Sequence, residues 1–166
     1  MKKLILIALV VLPMSVFAQQ KFAHVNSTLI VQAMPEYTTA QNEIQTLAKQ
    51  YEDELKRMQD ELQKKLKDYQ DNGATLPDAT KQRREQELTD LNQRLEQYYQ
   101  TSQQDLQKTQ QTKLSEISDK VGAAIKEVGT AGGYVYVMDV SSGIPFINES
   151  ISTDVTAQVK AKLGIK

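Results

Sequence analysis

The chain carries few side chains with which to do covalent chemistry. His24 is the single histidine, and there is no cysteine. A nucleophile–imidazole pair needs a His beside a Ser, Cys or Thr, and a zinc site needs several converging ligands. One His inside the short stretch KFAHVN (Lys21–Asn26) supplies neither, and it reads as a satisfied structural histidine. Carboxylates occur in adjacent pairs, Asp53-Glu54 and Asp60-Glu61, but acids on a polar helix solvate it or pair with Lys at i+4. General acid–base work needs a cleft that displaces a pKa, and a two-helix arm offers none. TAGG (Thr130–Gly133) is too short to cradle a phosphate. These residues predict no enzyme, no metal and no cofactor.

The elements that hold these residues explain the poverty. The N-terminus, MKKLILIALVVLPMSVFAQQ, has a basic start, an apolar run Leu4–Leu12, and a small residue at Ala18. That pattern is a secretory signal peptide over residues 1–18. The run falls short of the roughly 20 apolar residues of a membrane span, so no integral membrane segment is expected after cleavage. The whole chain has a net charge of −1, and removing Lys2 and Lys3 makes it more acidic, which argues against nucleic acid as a partner. The lack of cysteine removes disulfides and a lipoprotein anchor. Stability must come from packing or from assembly.

Aromatic residues are only 6% of the chain and Trp is absent, which predicts a small core with much exposed helix. Asn26 and Ser27 can cap a short helix over Thr28–Ala33, and Pro35 suits the first turn of a new one. LAKQYEDELKRMQDELQKKLKDYQ (Leu47–Gln70) then places one apolar stripe on a very polar rod. Asn72-Gly73 supplies left-handed geometry to stop that helix, and Thr75 with Asp78 forms a capping pair for the next. The second helix runs to about Val128 and is ended by Gly129 and the TAGG stretch that follows it. With the turn centred near Thr75, antiparallel pairing sets Leu62 against Leu88, Met58 against Leu91, Leu55 against Leu95, Tyr51 against Tyr99 and Ile44 against Leu106. Both stripes repeat every 3.6–3.7 residues, roughly the relaxed helix value, so the pair should be nearly straight. Ser102 and Gln110 interrupt the second stripe, which predicts an arm that is flexible toward its tip.

Beyond the arm, YVYVMDV (Tyr134–Val140) alternates as a strand. IPFIN (Ile144–Asn148) reads as a second strand after the SSG turn, at an edge because of Pro145. STDVTAQVKAKLG reads as a C-terminal helix capped by Ser152 and stopped by Gly164. Tyr134, Tyr136, Met138 and Val140 share one face while Val135 and Val137 take the other, so both faces want cover. One face can pack on the C-terminal helix and the base of the long helices; in so small a body the other calls for another subunit or, alternatively, the short N-terminal helix. The fold class is therefore α+β: a long antiparallel helical hairpin over residues 35–128, projecting from a small β-sheet body over residues 19–34 and 129–166.

The order AHVNSTLIVQAMPEY, charged hairpin, YVYVMDVSSGIPFIN and a helix opening STDVT resembles the Skp/OmpH family of periplasmic chaperones over residues 19–166. The resemblance implies a homotrimer whose three hairpins surround a cavity like tentacles. Phe22, Val25, Tyr134, Tyr136, Met138, Val140 and Phe146 would then meet between subunits. It also implies an ATP-independent holdase that keeps unfolded outer-membrane proteins from aggregating and delivers them to the outer-membrane assembly machinery. Client contact would fall to Leu76, to whichever of Tyr98 and Tyr99 leaves the seam, and to Lys64, Lys65, Arg83 and Arg84 near the tip.

Charge is where the chain departs from that family, whose familiar members are strongly basic. The tip basic residues face Asp68, Asp71, Asp78 and Glu85, and the small excess is screened over about 8 Å. Electrostatic capture and lipopolysaccharide binding are not expected. The alternative reading is an exported coiled-coil scaffold or spacer of the envelope, without chaperone activity.

Overall fold

A computed structural model describes residues 20–165, so the expected signal peptide lies outside the described residues. Strand β1 (Lys21–Val25) alternates Phe22 and His24 with Ala23 and Val25, and the latter two are fully buried. The Asn26 side-chain oxygen accepts from the Leu29 N–H at 3.1 Å and caps α1 (Ser27–Ala33). Met34 is extended, as a residue before proline prefers, and Pro35 opens α2 (Pro35–Asn72).

The turn between the long helices is built differently from the expectation. Gly73 has a φ of −62°, so Asn72-Gly73 adopts no left-handed stop, and Gly73–Thr75 continues as one 3-10 turn. Glycine serves there because the Tyr69 ring lies over it: a Cβ would stand 3.3 Å from that ring. The Thr75–Asp78 capping pair does not form, because the 3-10 turn holds Thr75 with its hydroxyl donating to the Asn72 carbonyl at 2.8 Å. Helix α3 (Asp78–Gly132) starts behind Pro77 without a side-chain cap. It also passes through Gly129, the expected stop. It ends only at Gly133, whose φ of +64° lets its N–H turn back onto the Gly129 and Thr130 carbonyls.

Helices α2 and α3 run antiparallel. The Tyr69 hydroxyl donates to Glu85 beside the turn, and Lys120 reaches Glu36 at 3.4 Å near the other end. The polar cross-helix contacts sit a few residues further along both helices than the level pairing expected from the turn, while the Tyr51 ring contact falls one residue from it. Tyr51 packs its ring edge-on to Tyr98 at 6.0 Å, and its hydroxyl donates to Asp105 at 2.5 Å. Each Cα–Cβ bond leans toward its own helix's N-terminus, so long polar side chains that meet across the seam come from higher numbers on both helices. Leu91 and Ser102 are buried in the seam, Thr109 rather than Gln110 turns inward, and Leu66 stays exposed beside a half-buried Lys65.

The body sheet has the order β2-β1-β3, with β2 (Tyr134–Asp139) and β3 (Ser152–Asp154) both parallel to the central β1. IPFIN is not a strand: Pro145 lacks an N–H to donate, and the segment crosses as a loop. Residues Ser152–Asp154, expected to open the last helix, instead form β3. Helix α4 (Thr156–Lys162) follows, with the Asp154 carboxylate accepting from the Thr156 N–H at 2.8 Å. One face of the sheet packs on α1, α4 and the base of the long helices, with Val25, Ile30, Ile117, Val121, Val155 and Val159 at the centre.

Candidate functional site

Among the described residues no helix lies over the other face of the sheet. Its character is set by a bulge: Lys21 pairs with Tyr134 and Phe22 with Tyr136, so Val135 is an extra residue. The slip turns Tyr134 toward the core alongside Val137, against the expectation that Tyr134, Tyr136, Met138 and Val140 share a face. Tyr136 and Met138 remain on the free face, 48% and 42% exposed. Phe22 from β1 meets the Tyr136 ring at 5.1 Å with the planes tilted by 33°. The crossing loop adds Phe146 at 78% exposed and Ile151 at 63%. Together with His24, Ile147, Asn148 and Ser152 these residues line a shallow pocket of about 210 Å³.

Of the seven residues assigned to subunit contact, four converge here: Phe22, Tyr136, Met138 and Phe146. Val25 is fully buried within its own subunit because it alternates onto the core face, and Tyr134 is drawn there by the bulge. Val140 is half-buried at the end of β2, where its N–H donates to the Val25 carbonyl at 2.8 Å. Ile147 and Ile151 were missed, although two apolar residues flanking the polar run Asn148–Ser150 were the available signal. His24 is nearly buried, and its Nδ1 lies 2.9 Å from the Ser152 hydroxyl. Among the described residues no group of His, Cys, Asp or Glu converges as metal ligands.

A family model described as outer membrane protein (OmpH-like) matches residues 21–163. The chain belongs to the OmpH-like family. No curated protein matches it. The fold agrees with a solved structure from Caulobacter crescentus, provisionally described as an OmpH-like outer membrane chaperone. That likeness has a TM-score of 0.75 at 18% identity, covering 88% of this chain and 85% of the other.

On the OmpH-like arm the residues assigned to client contact are scattered. Tyr99 leaves the seam, 54% exposed, while Tyr98 stays in it against Tyr51. Leu76 is half-buried just after the turn, its N–H donating to the Gly73 carbonyl at 3.3 Å. Lys65 and Arg84 both engage Glu87, which binds one on each carboxylate oxygen. The Lys65 hydrogen bond holds the Glu87 carboxyl below its ordinary value. Lys64 and Arg83 are exposed and join no ion pair among the described residues. The bond to Glu85 pushes the Tyr69 hydroxyl up. Lys113 pairs with Glu43 and Lys120 with Glu36, so cross-helix ion pairs occur near both ends of the arm. Among the described residues no helix is long and apolar enough to cross a membrane. The arrangement presents one contiguous apolar face on the body and isolated apolar side chains on a polar arm.

Proposed function

We propose that this OmpH-like chain is a periplasmic, ATP-independent holdase for unfolded outer-membrane proteins, and that it acts as a homotrimer. The observation that carries this reading is the uncovered apolar sheet face at the foot of a long two-helix arm. At 1.5 Å per residue the 55-residue α3 spans about 80 Å. Copies joined through Phe22, Tyr136, Met138 and Phe146 would set several such arms around a common space. Tyr99, Leu76, Lys64 and Arg83 then offer weak, separated contacts to an unfolded chain. Such a client exposes apolar segments, and many shallow contacts keep it from other chains without burying any one segment tightly. Residues 1–18 would direct export, and release would pass the client to the outer-membrane assembly machinery.

The scaffold reading draws support from the tip, where Tyr69, Glu85, Lys65, Glu87 and Arg84 tie the two helices together. A rigid spacer needs such ties, and a grasping arm does not. The discriminating experiment dilutes a urea-unfolded β-barrel protein into buffer with and without the mature protein. Suppressed light scattering at stoichiometric trimer supports the holdase. Unchanged scattering with a trimeric native mass leaves the scaffold, and a monomeric mass removes the cage.

A further inference from the structure

We infer that Met138 is an oxidation site whose sulfoxide blocks assembly through the free sheet face; the consequence for assembly rests on the copy-to-copy contact proposed above. The chain has five methionines and no cysteine, so thioethers are its only sulfur chemistry. Among the described residues three methionines occur, and their environments differ sharply. Met34 is 2% exposed in the core and Met58 is half-buried in the arm seam, whereas Met138 is 42% exposed on the edge strand β2. Of these three side chains Met138 is the most open to an oxidant reaching the folded subunit.

The position gives the reaction its effect. Met138 lines the pocket with Phe22, Tyr136, Phe146 and Ile151, within the exposed apolar surface of the free sheet face. A peroxide supplies the oxygen: the sulfur lone pair attacks, the S–O bond forms as the O–O bond breaks, and water leaves. Sulfur loses two electrons and the peroxide gains them. The product places a strong dipole and a hydrogen-bond acceptor beside Phe22, Phe146 and Ile151, and covering it without a donor is unfavourable. Assembly would itself shield Met138, so oxidation acts on the dissociated subunit and holds it there. Reduction of the sulfoxide restores the surface.

The test uses hydrogen peroxide on the mature protein, with peptide mass spectrometry for site and sedimentation velocity for association. Met138 is expected to oxidise about tenfold faster than Met34 or Met58 in dilute protein, and more slowly as concentration rises. The oxidised protein should need about tenfold higher concentration to associate. Met138→Leu keeps the apolar bulk without sulfur, and its association should be the same before and after peroxide. Equal oxidation of Met58, or a Met138→Leu protein that still loses association after peroxide, overturns the assignment. Selective oxidation with unchanged association overturns the switch alone. A chain that is monomeric before any oxidant overturns both the switch and the copy-to-copy reading beneath it.

Discussion

Replacing Asp139 by Asn isolates one knot in the body. The carboxylate ends β2 and accepts from the Ser27 N–H at 3.2 Å, the Ser27 hydroxyl at 2.5 Å and the Ser141 N–H at 3.0 Å, tying α1 to the sheet. Burial pushes this carboxyl up, but the bonds from Ser27 and Ser141 outweigh it and hold it below the ordinary 3.8. An amide retains one oxygen and turns an NH₂ toward donors, so at least one bond is lost. Bonds to a sheltered charge contribute about 1.5–3 kcal/mol; solvent screening at this exposed site reduces the expected loss to about 1 kcal/mol. A folded-state pKa that is depressed gives stability that is complete above the unfolded value near 3.8 and disappears as pH falls through the lower folded value. The Asn protein cannot titrate there, so the gap should be about 1 kcal/mol at neutral pH and close as pH falls below 3.8 through the lower folded value. Asp154 titrates in both proteins and cancels. Urea unfolding followed by helical circular dichroism, at matched protein concentration, reads the difference. With a slope of about 1–3 kcal/mol per molar urea, the midpoint should drop by roughly 0.3–1 M. Equal midpoints at neutral pH, or a gap that survives in acid, would refute the assignment.

Two further substitutions probe how the helices end. A Cβ at Gly132 would stand 2.2 Å from the Tyr134 ring, so Gly132→Ala must swing that ring from its place beside the core. The expected cost is about 1–3 kcal/mol in urea unfolding, and a Tyr134→Ala background should relieve most of it. At the tip, Tyr69→Phe removes the hydroxyl that reaches Glu85. Amide hydrogen exchange around the 3-10 turn should quicken while the global urea midpoint holds, and unchanged exchange would show that the bond does not close the tip.

The helices were readable because their signals are local and redundant. A 3.6-residue stripe, Pro35 at a start and Gly133 near an end each act within a turn or two, so the two long helices and their antiparallel pairing follow from the sequence. What escaped depends on partners far away in sequence. The bulge at Val135 exists only in the pairing of β2 with β1, and without it alternation puts Tyr134 on the wrong face. Ser152 carries a good helix-cap side chain, yet pairing with Phe22 and a hydroxyl against His24 draw it into a strand. Gly129 resembles a helix stop, but α3 carries on because Gly133 offers the positive φ immediately before β2. The free face was therefore legible as a class of residue, and its membership required the register.

The distribution of exposed apolar side chains separates two tasks. On the body, Tyr136, Met138, Phe146 and Ile151 adjoin one another with Phe22 beneath, whereas on the arm Leu66, Tyr99 and Leu114 are exposed singly. A contiguous patch can hold one partner in a fixed geometry, while dispersed single contacts gain strength only by acting together on one flexible chain. Under the proposed reading, a charge in the patch and a polar residue on the arm should therefore fail differently. Phe146→Asp should abolish self-association measured by native mass, and with it the suppression of barrel-protein aggregation. Tyr99→Ser should leave the native mass intact and weaken suppression by less than about threefold, since one of several weak contacts near 0.5 kcal/mol is lost. A Tyr99→Ser protein that dissociates, or a Phe146→Asp monomer that still holds the client at full capacity, would assign the two surfaces the other way round.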